Sequence, residues 1–472
     1  YGKYAYGVQA ISTLGDALVD NSGTVYAVGD TLGVGLLAFS VEGNASVINT
    51  GEVGVEGYSL AYGAFVRADY GNANATNAGD IFAESYYGNA VGIGARGAYA
   101  GIDNTGAIYA LGYSAATGVT AFGYYGASVS NTGVIVGAAE YGDATGVRAI
   151  AAYGDVAVTN SGDIVAASIN YDAIGVLAYS PGGAVSVVND GAVYASAKYG
   201  EAVGILAQAY NVDVTGDGAV YADAQYLGVG IQAQALYSAN VNVGGDIYVT
   251  ADYNAIGIMA NVAAGDASVT STGLIDVEAA YAFGIMAEAY GNTTVVNGGT
   301  IDVLGGDTAF GIYALAEQGN ASVDNAGDII AAGQNTTAGV FSISVYGDSL
   351  VNSDGSVNAS SALGTALGLF SRSVYGTSIV TNGGDILASA ADGAAYGILS
   401  QGPYAEAGNT GDVLAIGYAR ATGIAAYGTY GASVDNAGTA IANSYAGRAT
   451  GLYGASYYGD ALVANGGSAY AY

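Results

Sequence analysis

The sequence predicts an all-β protein, a right-handed parallel β-helix (β-solenoid) of about 17 rungs of 26–29 residues, with three strands per rung and a flattened cross-section. Three observations predict this fold. One repeat runs through all 472 residues, apolar and polar residues alternate within each copy, and an Asn-x-Gly turn recurs in most copies. In this fold each copy of the repeat forms one turn of the solenoid, which stacks on the turn formed by the next copy.

The repeat is visible at two independent anchors. The glycine of the Asn-x-Gly turn position recurs seventeen times between Gly23 and Gly467, at steps of 26 to 29 residues. An aliphatic residue that follows a glycine opens each copy at the same spacing. Because both anchors advance together, we expect the opening aliphatic residues to stack as a core ladder. The predicted core ladder is Val8, Leu36, Ile93, Val119, Val147, Val176, Ile205, Ile231, Ile258, Ile285, Ile312, Val340, Leu369, Ile398, Ile424 and Leu452.

Within a copy the period is two, as in residues 321–324 and 328–331, where Ala, Val or Ile alternates with more polar residues. Such alternation is typical of half-buried strands. The crossover rule for parallel strands predicts the right-handed sense. A rung of this length, if round, encloses more space than Ala, Gly and Val can fill, and this predicts the flattened section.

The turn position predicts a second ladder. Asn stands two residues before the anchor glycine in thirteen of the seventeen copies. Asn and Gly both tolerate positive φ, and stacked side-chain amides can hydrogen-bond along the axis, so we predict a structural role and no ligand. We interpret the copies around 211–245, which drop this Asn, as drift. The predicted turn ladder is Asn21, Asn49, Asn77, Asn104, Asn131, Asn160, Asn189, Asn297, Asn325, Asn382, Asn409, Asn436 and Asn465.

Composition limits the function. With 39 acidic and 8 basic residues the net charge is −31, which disfavours binding to nucleic-acid phosphates and to anionic lipid. No apolar run of about 18 residues occurs, so we predict no membrane insertion. The absence of His and Cys removes Ser-His-Asp triads, thiolate nucleophiles and imidazole zinc sites. We therefore predict that the chain is not an enzyme, with carboxylate-based cleavage of polysaccharides as the remaining catalytic alternative.

We predict no cofactor. The Gly-x-Gly-x-x-Gly pattern at 92–97 is followed by no predicted helix that could bind a phosphate. Aspartates that follow the anchor glycine mostly do not occur in adjacent copies, so they predict surface charge and no calcium ladder. Weak, diffuse calcium binding stays open. These aspartates are Asp80, Asp163, Asp246, Asp328, Asp385 and Asp412.

Tyrosine is the most unusual residue, with 42 copies, many of them in Tyr-Gly pairs at predicted corners. One interpretation is that the rings stack between rungs and stiffen the rod. The other is that they form a contact surface for neighbouring rods or for glycans. The two interpretations are compatible.

Two stretches carry a family resemblance: Asn160-Ser-Gly-Asp-Ile and Asn104-Thr-Gly-Ala-Ile, each followed by Ala-rich alternation and a Gly-Val or Gly-Ile opening. They resemble the passenger repeats of bacterial autotransporter adhesins and related secreted β-helical surface proteins, and the resemblance extends over the entire chain. It implies export to the cell surface and a role in adhesion, aggregation or biofilm. We expect residues 1–472 to form a single repetitive β-solenoid domain, with no separate cap or translocator domain.

The leading hypothesis is an extracellular, secreted structural protein, a rigid rod that assembles head-to-tail with itself into a cell-surface or biofilm-matrix fibre. Terminal rungs are expected to expose unpaired strand edges that a second copy can continue. A rival account is that the chain is cut from a longer solenoid. The alternatives in function are a monomeric adhesin stalk that binds glycans or other cells, and a β-helical polysaccharide-degrading enzyme. The candidate end-to-end contact comprises Tyr1, Tyr4, Tyr6, Tyr470 and Tyr472.

Overall fold

The computed structural model describes residues 2–472, which contain strands and no helix. Its parallel strands stack as a β-solenoid of about 17 turns, which confirms the predicted all-β, parallel fold. The chain divides into two compact units, Tyr1–Ala235 and Leu236–Tyr472. Both units are built from the same kind of turn.

In its described part, residues 2–235, the first unit contains nineteen complete strands. They are β1 (Gly2–Ser12), β2 (Ala17–Asn21), β3 (Thr24–Ser40), β4 (Ala45–Asn49), β5 (Glu52–Gly57), β6 (Leu60–Ala68), β7 (Ala73–Asn77), β8 (Ile81–Ser85), β9 (Asn89–Asn104), β10 (Ala107–Gly112), β11 (Ala115–Asn131), β12 (Val134–Ala139), β13 (Ala144–Ala151), β14 (Asp155–Asn160), β15 (Asp163–Ser168), β16 (Ala173–Asn189), β17 (Ala192–Ala197), β18 (Ala202–Gly216) and β19 (Val220–Ala224).

The next strand, β20 (Leu227–Val243), includes the boundary, and the remaining strands belong to the second unit. They are β21 (Ile247–Ala251), β22 (Asn254–Val262), β23 (Asp266–Ser271), β24 (Ile275–Ala289), β25 (Thr293–Asn297), β26 (Thr300–Ala316), β27 (Ala321–Asn325), β28 (Asp328–Gly333), β29 (Thr336–Ser344), β30 (Ser349–Ser353), β31 (Val357–Ser361), β32 (Thr365–Ser373), β33 (Thr377–Asn382), β34 (Ile386–Ala390), β35 (Ala394–Asn409), β36 (Asp412–Gly417), β37 (Arg420–Asn436), β38 (Thr439–Ser444), β39 (Arg448–Ser456), β40 (Asp460–Asn465) and β41 (Ser468–Ala471).

One turn of the first unit shows the plan. Strands β13, β14 and β15 form its three segments, and each pairs in parallel with the equivalent segments of the adjacent turns. Ala144, for example, is in register with Ala116 on one side and Ala173 on the other. Elsewhere two segments continue through a corner as one strand, as in β3 and β16, which is why there are fewer than three strands per turn.

The core lies inside the turns, where every second side chain points. In β14, Val156, Val158 and Asn160 are buried and the residues between them are exposed. The predicted core ladder is likewise interior from Leu36 to Ile424, since each of these fourteen residues is at most 1% exposed.

The predicted ladder does not hold at its two ends. Val8 is 39% exposed, and Leu452 is only partly buried. Val8 lies in β1, which pairs with β3, and Leu452 lies in β39, which pairs with β37. Within residues 2–472 each of these strands has a neighbouring turn on one side only, so its inward side chains stay accessible from the other side.

The glycine that opens each turn has a steric role. At Gly146 an added Cβ would lie 2.3 Å from Cγ2 of Ile164 and 2.6 Å from the carbonyl oxygen of Gly175. The Ile164 side chain, from the third segment of the same turn, fills the space that a side chain at 146 would need. The period of two also shifts here, since Gly146 and Val147 are both buried. The third segment therefore packs against a column of glycines.

Candidate functional site

Asparagine side chains form a continuous buried ladder in the first unit. From Asn21 to Asn160, each Nδ2 donates to Oδ1 of the ladder asparagine one turn later at 2.8 Å, and Asn189 is the last acceptor. From Asn21 to Asn160, Nδ2 also donates to the backbone carbonyl two residues on, at 2.8–3.0 Å. All donors point towards the next turn along the chain. The ladder therefore has a direction.

The second unit carries two shorter ladders. Asn297 donates to Asn325, whose Nδ2 in turn reaches the Ser353 hydroxyl at 3.2 Å. A further run of four links consecutive turns at 2.8–2.9 Å, with the same direction. It consists of Asn382, Asn409, Asn436 and Asn465.

The ladders break where the turn position is not Asn. The backbone of Gly216 has a φ of 127°, and an added Cβ there would lie 2.0 Å from the carbonyl oxygen of Asn189. Within residues 2–472, three of the four buried side-chain polar atoms without a hydrogen-bond partner lie at or beside such breaks: Asn189 Nδ2, Ser271 Oγ and Asn382 Oδ1. A buried unpaired polar group costs about 1–3 kcal/mol. The departures around 211–245 that we interpreted as drift, which Asn189 Nδ2 and Ser271 Oγ flank, therefore destabilise the fold.

A ladder of buried serine hydroxyls in the second unit was not predicted. Its successive Oγ atoms lie 3.0, 2.8, 2.9 and 2.8 Å apart, and every member is fully buried. The chain of bonds alternates between the first and second segments of successive turns. Most other copies have Ala or Val at these inward positions. The occurrence of Ser in place of Ala or Val was the feature of the sequence that could have predicted this ladder. The ladder runs through Ser342, Ser349, Ser371, Ser378 and Ser400.

Tyrosines stack along a corner of the first unit. We call Tyr58, Tyr87, Tyr113 and Tyr141 the corner column. They lie on consecutive turns, and their ring centroids are 4.5, 5.8 and 4.8 Å apart. Burial raises the pKa of the Tyr113 phenol, and the neighbouring Tyr141, Glu140 and Tyr87 raise it further, so this phenol stays neutral at physiological pH.

The tyrosines of the candidate end-to-end contact are exposed. In β1, Tyr4 is 56% and Tyr6 is 45% exposed, whereas Tyr1 lies outside the described residues. In the last turn, Tyr470 is 46% and Tyr472 is 70% exposed, and their rings stack with centroids 6.2 Å apart. The structure thus places one pair in the first unit and the other in the second unit.

Each unit has a shallow groove along its third segments. In the first unit the groove has a volume of about 590 Å³, and Tyr86, Tyr113, Glu84, Glu140 and Lys198 are among the residues that line it. The second unit has a groove of about 790 Å³ whose lining includes Asp252, Glu278, Leu304, Gln334 and Ser360. The first groove combines aromatic rings with charges of both signs.

Carboxylates are scattered over the surface. Burial raises the pKa of the Asp276 carboxyl, and the nearby Asp302 and Glu278 raise it further. Burial likewise raises the pKa of Glu288, with Glu317 adding to the effect. In the part of the chain that the structure describes, no three acidic side chains group as metal ligands. All six aspartates that follow an anchor glycine are exposed, and residues 92–97 lie within β9.

None of residues 2–472 forms a helix long and apolar enough to cross a membrane. Comparison with protein-family models, with curated proteins and with solved structures finds no match to this chain. The inference about function therefore depends on the ladders, the corner column and the exposed faces of the turns.

Proposed function

We propose that the chain is an extracellular structural protein, a β-solenoid rod whose copies stack head-to-tail into a cell-surface or biofilm-matrix fibre. The observation that carries this proposal is the direction of the asparagine ladder. Among residues 2–472, Asn21 Oδ1 accepts one bond, of 3.3 Å, from the backbone N–H of Gly23, and a carbonyl oxygen can accept a second bond. At the other end, Asn465 accepts from Asn436 and is itself exposed. The exposed Asn465 Nδ2 of one copy could therefore donate to Asn21 Oδ1 of the next copy.

The faces of the terminal turns add support. Val8 is 39% exposed in β1 although the equivalent residue one turn later, Leu36, is fully buried, and Val463 is 45% exposed in β40 although the equivalent residue one turn earlier, Val434, is fully buried. Strand edges present unpaired backbone groups that another strand can continue. A second copy in register would bury both the backbone edge and these apolar side chains, and a contact of this heterologous kind produces a filament.

A matched pair of variants in β40 tests the stacking. Val463 occupies an inward position and Leu462 an outward one, and both are exposed. We expect the 472-residue chain to form filaments in electron microscopy and to scatter light increasingly with concentration. Val463→Asp should abolish both signals, because stacking would bury an unpaired carboxylate. Leu462→Asp should leave them intact. A chain that stays monomeric at high concentration would refute the proposal.

A second candidate function, an adhesin stalk that binds glycans, is favoured by the groove of the first unit. Tyr rings offer flat apolar faces with a polar hydroxyl, and Glu84, Glu140 and Lys198 offer hydrogen bonds to sugar hydroxyls. Calorimetry with a panel of neutral oligosaccharides tests this function. Binding that is lost in Tyr113→Ala and kept in Tyr70→Ala would support it, and absence of binding to the intact chain would refute it. The chain stays predicted to be no enzyme, and turnover of acidic polysaccharides would overturn that prediction.

A further inference from the structure

The corner column holds four phenol rings in a fixed arrangement. The backbone N–H of Tyr87 donates to the carbonyl of Tyr58 at 2.9 Å, and that of Tyr141 donates to the carbonyl of Tyr113 at 2.7 Å. These same two pairs have the shortest ring separations in the column, 4.5 and 4.8 Å. Because the backbones are bonded, each pair stays together for as long as its two turns stay stacked.

The rings are also accessible to a reagent. Tyr58, Tyr87 and Tyr141 are 52%, 59% and 51% exposed, and Tyr113 is partly exposed. The chain has 42 Tyr but no Cys and no Trp, the side chains that would otherwise compete for a one-electron oxidant. One-electron oxidants that reach this protein therefore act mainly on phenols, and the two Met are the other side chains that oxidise readily.

We propose that the corner column is a site of oxidative modification, at which a peroxidase that consumes hydrogen peroxide joins Tyr58 to Tyr87 and Tyr113 to Tyr141 as dityrosine. Tyr87 and Tyr113 stay unjoined, since their rings lie 5.8 Å apart. This modification goes beyond the proposed structural function. It needs only the stacked turns of one chain and does not depend on end-to-end assembly.

The reaction balances with one equivalent of peroxide. Each phenol loses one electron and one proton and becomes a phenoxyl radical. The two radicals form a carbon–carbon bond between the ring carbons next to the hydroxyl-bearing carbons. The hydrogen on each of these carbons then moves to the oxygen of its own ring and restores two phenols. Hydrogen peroxide accepts the two electrons and two protons and leaves as two water molecules.

Proximity determines which rings couple. Groups held in contact react as if at very high effective concentration, so a paired radical meets its neighbour on the adjacent turn before it meets another molecule. Tyr70 provides the contrast. It is 78% exposed at a Tyr-Gly corner, and among residues 2–472 it has no ring contact. Accessibility alone would favour Tyr70, whereas pairing favours the corner column.

The experiment treats the dilute full-length chain with a haem peroxidase and limiting hydrogen peroxide. The product is unfolded, cleaved after acidic residues and analysed by mass spectrometry. Cleavage after Glu84 separates Tyr58 from Tyr87, and cleavage after Glu140 separates Tyr113 from Tyr141. Among the products we expect the two cross-linked peptide pairs of the corner column, each lighter than the sum of its parts by two hydrogens.

Three variants decide the assignment. Tyr87→Phe should lower the yield of the cross-link at Tyr58 at least about tenfold and leave the other cross-link unchanged. Tyr141→Phe should have the converse effect, and the control Tyr70→Phe should alter neither. The proposal is overturned if dityrosine does not form, if Tyr70 couples as readily as the column, if Tyr87→Phe changes nothing, or if the product joins separate molecules at high dilution.

Discussion

Two glycines of β35, Gly397 and Gly408, should respond oppositely to replacement by alanine. At Gly397 an added Cβ would lie 2.2 Å from Cγ1 of Val413 and 2.6 Å from the carbonyl oxygen of Gly423. Ordinary contact begins at 3.4 Å, so the Val413 contact must open by 3.4 − 2.2 = 1.2 Å. At Gly408 the nearest atom to such a Cβ is the carbonyl oxygen of Val380, 3.9 Å away.

Overpacking of this kind costs about 1–3 kcal/mol, and the upper end applies because Gly423 O belongs to the backbone of the next turn. We therefore expect Gly397→Ala to lower the free energy of unfolding by about 3 kcal/mol. Gly408→Ala should raise it by about 0.5 kcal/mol, since alanine reduces the freedom of the unfolded chain. Denaturant titration followed by circular dichroism measures both changes. Adding Val413→Ala to Gly397→Ala should restore only part of the loss, because the contact with Gly423 O persists.

The reasoning would be refuted if Gly397→Ala and Gly408→Ala unfolded at the same denaturant concentration. Such a result would mean that the third segment can withdraw from the glycine column at little energetic cost. The opening glycine would then reflect backbone conformation rather than close packing. Full restoration by Val413→Ala would instead assign the whole effect to the side-chain contact.

Further predictions concern the core, the buried polar groups and metal. Ile258→Asp should destabilise the second unit by several kcal/mol, whereas Ser268→Asp, on the outward face of β23, should leave the melting temperature nearly unchanged. Thr337→Val should raise the free energy of unfolding by about 1 kcal/mol, because the fully buried Thr337 hydroxyl has no partner within residues 2–472. Folding raises the pKa of the Glu288 carboxyl, so the folded state binds this proton more tightly, and the free energy of unfolding should rise as pH falls through the folded pKa towards 4.5. Glu288→Gln should remove that part of the pH dependence, which melting curves of both proteins at a series of pH values would measure. Chelation with EDTA should leave the melting temperature unchanged, and a large drop would revive a calcium ladder.

The fold followed from the sequence because its signals repeat. Alternation assigns Val156 and Val158 to one face of a strand, and the same register recurs one turn later, so each copy supports the assignment of the others. The packing of one segment against another inside a turn could not be predicted in this way. That Gly146 must be glycine depends on Ile164, which lies in another segment, and no local pattern connects the two residues.

A polar ladder could be predicted from the sequence only where its residue type is typical of a single place in the turn. Asn at a turn beside glycine has few other roles, and the structure places this column inside with its amides bonded. Serine occurs on both faces of a strand, so alternation does not distinguish the inward Ser371 from outward serines. The exposure of Val8 was not predicted, because alternation shows which face a residue occupies and not whether a turn lies on both sides of it. Among the described residues β1 pairs only with β3, so Val8 is covered from one side.

The directional ladder restricts how such a sequence can change over evolutionary time. Replacing one mid-ladder residue such as Asn131 removes the partner of Asn104 Nδ2 and of Asn160 Oδ1, so a single substitution harms two other copies of the repeat. Duplicating or deleting a whole turn has no such effect, because each new copy brings one donor and one acceptor to its neighbours. Selection should therefore tolerate changes in the number of repeats more readily than changes at individual ladder positions, and lineages of this protein should differ mainly in length.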